Sequence, residues 1–179
     1  MKKWLAGVLI KILLNADKKS RSNLFYTLKK EHSRQVFNKF RDKYIVDKTF
    51  RFNGKNIKFY GEGEIKCGVN SYIGDYSTIQ SSLDYKVCVG DNCAISHNVR
   101  IYTCSNLPNQ NLNTSNPKEK IFGNVIIGNG VWIGANVFIN PGITIGDNAI
   151  VGANSVVTKN IEANAIYGGV PARLIKRKS

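Results

Sequence analysis

The chain has two histidines, and only one sits where its chemistry could be used. His32 lies among Lys29, Lys30, Glu31 and Arg34, a basic run with no repeat around it. His97 lies in Ile95-Ser96-His97-Asn98, within a stretch where an aliphatic residue returns every six positions. An imidazole is the side chain best matched to taking a proton from a hydroxyl near neutral pH. Such a base needs an orienting group, and Asp75 is the first choice, with Asp91, Asp84 or a carboxylate of a neighbouring subunit next. Metal chemistry is not indicated, because Cys67, Cys88, Cys93 and Cys104 show no C-x-x-C spacing and two histidines cannot supply a three-histidine zinc site. Cys67 and Cys93 fall where the repeat calls for small or apolar residues, so core packing in a reduced, cytoplasmic protein is the expectation.

The element that must position His97 is the repeat itself. Toward the C-terminus the blocks read IGNGVW from Ile127, IGANVF from Ile133, INPGIT from Ile139, IGDNAI from Ile145 and VGANSV from Val151. Six residues rotate a 3.6-period face away from itself, so a helix cannot use this spacing. A triangular coil of three flat strands can, with each aliphatic ladder filling the interior. The aliphatic positions group as 67-73-79, 89-95-101, 127-133-139 and 145-151-157, with steps of 10, 26 and 6 residues between groups. Both long steps therefore fall at one corner of the triangle. The second holds a polar, Asn-rich excursion over residues 103–123, which reads as an arm to a neighbouring subunit or a lid, or as a plain surface loop. In this frame Asp75, His97, Ala135 and Ala153 each take the third place of a middle block and stack in one column, with strands about 4.8 Å apart.

Residues 1 to about 46 read as helical, with Trp4, Leu5, Val8, Leu9, Ile12 and Leu13 on one apolar face. Leu24, Phe25, Leu28, Val36, Phe37 and Phe40 continue the pattern between lysines and arginines. Two readings stand together here: a cap over the open end of the coil, and a basic anchor on an anionic membrane surface through residues 1–45. The net charge of +14 admits anionic partners, but no nucleic-acid-binding signature accompanies it. No apolar run reaches the ~18 residues of a membrane span, and no signal-peptide pattern is expected. The expected division is a helical, basic extension (1–50), the coil (51–170) and a basic tail (171–179).

The run VIIGNGVWIGANVFINPGITIGDNAIVGANSVVTKNIEANAIYGGVPARLIK, within a match over about residues 65–176, resembles the hexapeptide-repeat acetyltransferases. The resemblance is to the branch that holds maltose, galactoside and polysaccharide O-acetyltransferases. It implies a mainly β fold, a left-handed parallel β-helix, a homotrimer, and acetyl-coenzyme A bound between neighbouring subunits. It places coenzyme contacts on Ala135, Ala153, Thr158, Lys159, Arg173 and Lys176. Small residues let a pantetheine arm approach the backbone, and cations suit the phosphorylated adenosine end.

One departure matters. Where the maltose and galactoside branch has its catalytic histidine, this chain has Asn106, and where His97 stands that branch usually has proline. The ISHN block resembles instead the V-E-H-D block of nucleotide-sugar and sialic-acid acetyltransferases, whose catalytic histidine takes the same third place. The expectation is an acetyl-coenzyme A-dependent O-acetyltransferase acting on a sugar hydroxyl of a surface glycan or its precursor, with His97 as base and Asp75 behind it. An amino-sugar N-acetyltransferase and an inactive trimeric scaffold remain as alternatives.

Overall fold

A computed structural model describes residues 7, 10, 13–111, 113 and 117–178. The chain divides into two units, Met1–Lys39 and Phe40–Ser179.

In the first unit, Asp17 starts helix α1 (Lys18–Lys43), which runs on into the second unit. Its carboxylate accepts the Lys19 and Ser20 amides at 2.9 and 3.0 Å and the Ser20 hydroxyl at 2.6 Å. That Ser20 hydroxyl, with the amides, holds the Asp17 carboxyl below its usual range. None of the helix residues is buried. Of the proposed N-terminal apolar face, Trp4, Leu5, Val8, Leu9 and Ile12 lie outside the described residues.

The second unit is a solenoid whose strands form three parallel sheets. The first stacks β1 (Ile45–Val46), β4 (Glu64–Cys67), β7 (Lys86–Val89), β12 (Val125–Ile127) and β15 (Thr144–Ile145). The second stacks β2 (Arg51–Asn53), β5 (Tyr72–Gly74), β8 (Ala94–Ile95), β13 (Trp132–Ile133), β16 (Ile150–Val151) and β18 (Ala165–Gly168), closed by antiparallel β19 (Arg173–Arg177). The third stacks β3 (Lys58–Tyr60), β6 (Thr78–Gln80), β9 (Arg100–Tyr102), β14 (Phe138–Ile139) and β17 (Val156–Val157).

The register matches the six-residue frame. Cys67 pairs with Val89 and Val89 with Ile127; Ile73 pairs with Ile95, Ile95 with Ile133 and Ile133 with Val151. Each ladder is shut away from water, as Ile73, Ile95, Ile133 and Val151 are fully buried. Each such side chain contributes about 1.5–3 kcal/mol on burial. Between ladders the fifth block residues turn inward, and where these are polar they are satisfied. Buried Ser71 donates to Gly90 O at 2.7 Å and accepts the Cys93 amide at 2.8 Å. Cys67 and Cys93 are core residues, as their positions in the repeat suggested, and burial pushes both thiols up.

Strands begin at Ile45, earlier than the visible repeat, because the lowest coil departs from the period. Phe52 to Phe59 spans seven residues instead of six, and Phe59 to Cys67 spans eight. An aromatic plug closes this end: Phe40 stacks on Phe59 at 5.2 Å between centroids, with Phe50 and Phe52 edge-on beside it. Arg41 donates to the Asp47 and Phe50 carbonyls at 2.6 Å each. The last turn of α1 thus belongs to the cap. At the opposite end Arg173–Arg177, assigned from sequence to a tail, is a strand paired with β18.

The excursion at the third corner, between the third and first sheets, is built on an antiparallel pair, β10 (Cys104–Asn106) and β11 (Lys120–Phe122). Gln110 ties it inside, donating to Leu107 O and Glu119 O and accepting the Glu119 amide at 2.8 Å.

Candidate active site

The second corner, between the second and third sheets, carries the column foreseen from the spacing. Every block turns here through a fourth residue with positive φ: Asn98, Asn136 and Asn154 lie at 56–60°. Asparagine tolerates this left-handed conformation better than most residues. Their side chains join in a ladder, Asn98 Nδ2 to Asn136 Oδ1 at 2.8 Å and Asn136 Nδ2 to Asn154 Oδ1 at 2.9 Å.

One place earlier, third-position residues stack as Asp75, His97, Ala135 and Ala153. The Asp75 carboxylate caps the Lys55 amide in the coil below. His97 Nδ1 in turn accepts the Asp75 backbone N–H at 3.1 Å. The ladder stops there. Alanine has no acceptor, so no side chain from the coil above meets the amide of His97, nor that of Ala135. His97 is exposed, and Gly74 makes room for it: a Cβ there would lie 2.8 Å from Nδ1.

The His97–Asp75 relation differs from the expected one. Nδ1 stands 3.8 Å from Asp75 Oδ2, an electrostatic contact too long for a hydrogen bond. A ring nitrogen that accepts an N–H carries no proton, so neutral His97 holds its proton on Nε2 in this arrangement. Asp75 therefore meets the imidazole through its backbone amide, with its carboxylate beside the ring. Of the other candidate orienters, Asp91 sits at the first corner, where its Oδ1 accepts the Val69 amide at 2.7 Å. Asp84 lies in the turn between β6 and β7, at the third corner.

The remaining candidates are spread over the solenoid. Ala135 and Ala153 stand directly above His97, half-buried and exposed respectively. Arg173 pairs with Gly168, one place before the head of that column, whereas Lys176 pairs with Ile166 in mid-strand. Thr158 and Lys159 follow β17 at the third corner and are exposed. Asn106, also exposed, belongs to the hairpin of that third corner, so within one chain it and His97 occupy different corners.

Reasoning from the spacing overlooked Tyr76. It takes the fourth place of its block, with φ 60°, where the other blocks of this corner have asparagine. Lys55 Nζ lies 5.9 Å from the ring centroid, and Arg100 donates to the Tyr76 carbonyl. The signal was in the sequence: IGDY stands among CGVN, VGDN, ISHN, IGAN and VGAN.

Residues 124–159 match the bacterial transferase hexapeptide (six repeats) family. The chain is similar to galactoside O-acetyltransferase of Escherichia coli (strain K12), 35% identical over 138 residues, which are 74% of this chain and 66% of that protein. The chain thus spans just under two thirds of that relative. A solved galactoside acetyltransferase in complex with coenzyme A superposes with a TM-score of 0.64 at 34% identity, over 75% of this chain and 65% of that one. A maltose O-acetyltransferase from Clostridium difficile 630 superposes with a TM-score of 0.58 at 36% identity, over 73% of this chain and 71% of that one.

Proposed function

Since this chain belongs to the hexapeptide-repeat acetyltransferases, as the 36% identity over 71% of the maltose O-acetyltransferase shows, we propose that it moves an acetyl group from acetyl-coenzyme A to a carbohydrate hydroxyl. The observation that carries this reading is the end of the second-corner ladder. The amides of His97 and Ala135 are left without a side-chain acceptor, beside an exposed imidazole.

In this reading the pantetheine arm lies along Ala135 and Ala153, where methyl groups let it reach the backbone. Arg173 and Lys176, with Thr158 and Lys159 from the third corner of a neighbouring chain, meet its phosphorylated end. The acceptor hydroxyl oxygen attacks the thioester carbonyl carbon as His97 takes the hydroxyl proton. The C–S bond then breaks, the ester forms, and the proton passes to the departing thiolate. Backbone N–H groups are suited to the oxyanion that forms between these steps. For His97 to act through Nε2, its proton must sit on Nδ1. A small rotation bringing Nδ1 from the Asp75 amide to Asp75 Oδ2, with Nδ1 taking up a proton from water and Nε2 releasing its own to water, supplies that state.

Because the hairpin and His97 occupy different corners, a site that uses both needs two chains, which supports assembly as a homotrimer; light scattering should give the mass of three chains. The first 43 residues hold twelve Lys and Arg against three Asp and Glu, which supports a peripheral contact with an anionic membrane surface. Among the described residues no helix is long and apolar enough to cross a membrane. At low salt the full chain should float with phosphatidylglycerol vesicles and not with phosphatidylcholine ones.

The central test is calorimetric titration with coenzyme A, followed by acetyl transfer to a panel of glycosides. Binding with transfer that is lost in His97→Ala supports the enzyme and its base. Absence of binding leaves an inactive scaffold, and transfer retained in His97→Ala moves the base elsewhere.

A further inference from the structure

Tyr76 is the one fourth-position residue of the second corner whose presence the fold does not explain. A bulky side chain at φ 60° is disfavoured, and asparagine would relieve it. An asparagine there would also extend the amide ladder that joins Asn98, Asn136 and Asn154. The ring gives no core packing in return, since Tyr76 is 47% exposed.

Two cations approach Tyr76, one at its ring and one at its backbone carbonyl. Lys55 comes from the coil below, its amide bound by the Asp75 carboxylate and its Nζ 5.9 Å from the Tyr76 centroid. Arg100, on β9, anchors one guanidinium nitrogen on the Tyr76 carbonyl, leaving further N–H donors for another group. Among the described residues, neither Lys55 nor Arg100 forms a salt bridge with a carboxylate. Both are linked through Asp75 and Tyr76 to the imidazole of His97. An exposed ring with one cation near its face and a second on its backbone carbonyl, next in the chain to the residue whose amide meets His97, is a surface for a sugar that carries an anion.

Resting on the acetyltransferase reading above, we infer that the acceptor is an acidic carbohydrate. Its ring stacks on Tyr76, and its carboxylate or phosphate is held by Lys55 and Arg100, so that a neighbouring hydroxyl reaches His97. Strain at Tyr76 is then offset by binding, as at other functional sites.

The experiment compares initial rates at saturating acetyl-coenzyme A on three matched acceptors: a neutral hexoside, the corresponding uronate, and the hexose 1-phosphate. The expected result is a kcat/KM about tenfold or more higher for at least one anionic acceptor. Which of the two leads tells whether a carboxylate or a phosphate is read. Lys55→Met and Arg100→Met should each raise KM for the favoured acceptor more than they lower kcat, while coenzyme A binding by calorimetry stays as in the wild type. Tyr76→Asn should weaken every acceptor and raise the melting temperature, whereas Tyr76→Phe keeps the ring and the rate. Equal use of neutral and anionic acceptors, or an anionic preference that survives Lys55→Met, would overturn the inference. Wild-type protein that binds no coenzyme A overturns the acetyltransferase reading instead. The patch is then judged by saturation-transfer NMR with the uronate and the 1-phosphate, where no binding counts against it.

Discussion

The first and second corners of this solenoid share one backbone geometry and differ in what their third residues do with it. At the first corner the capping ladder runs on through three amides and ends only at Ala163, above Asp147. Asp91 accepts the Val69 amide at 2.7 Å, Asn129 the Asp91 amide at 2.9 Å, and Asp147 the Asn129 amide at 2.7 Å. At the second corner the same device runs through Asp75 and His97 and then gives way to Ala135 and Ala153. Outward amides need partners wherever they are not open to water, so the first corner caps three successive amides while the second offers those of His97 and Ala135 outward. A binding cleft on a repeat fold thus needs no special backbone, only the removal of side chains that would fill it.

Substitutions can break this contrast, and the largest effect should come from the imidazole. His97→Ala should lower acetyl transfer by about 10²–10⁴-fold while coenzyme A still binds, as measured by steady-state rates and calorimetry. Gly74→Ala attacks the same group from below, because its Cβ would stand 2.8 Å from Nδ1 and the backbone of Ser96 leaves little room to yield. Displacing the ring by about 1 Å should lower kcat on the order of 10²-fold, with coenzyme affinity kept. Ala135→Asn makes the second corner resemble the first by capping the His97 amide, as Asn129 caps that of Asp91. Coenzyme A affinity should fall about tenfold or more, with a melting temperature equal to or above the wild type. The reverse change, Asn129→Ala, uncaps the Asp91 amide and should cost about 1 kcal/mol in denaturant melts while leaving transfer unchanged.

Much of this was readable from the spacing. The aliphatic ladders, the column through Asp75, His97, Ala135 and Ala153, and the shared corner of the two large insertions all follow from a period of six. The lowest coil was not readable, because an extra residue at the Gly54 turn and two more after Phe59 shift the frame. Nor was the role of the Arg173–Arg177 strand, whose pairing with β18 is antiparallel and outside the repeat. Tyr76 was visible as the one tyrosine at a fourth place, but the column of candidates runs through third places alone.

The sequence by itself determined the solenoid, because a six-residue aliphatic period can bury its ladder only by stacking flat strands, and it marked His97 as the histidine inside that frame. Tertiary structure alone decided how His97 is held. Its Nδ1 meets a backbone amide 22 residues away, at 3.1 Å, rather than the Asp75 carboxylate at 3.8 Å, a choice that no spacing encodes. It also decided which residues surround Tyr76, since Lys55 and Arg100 are brought there by coil stacking and not by proximity in the chain.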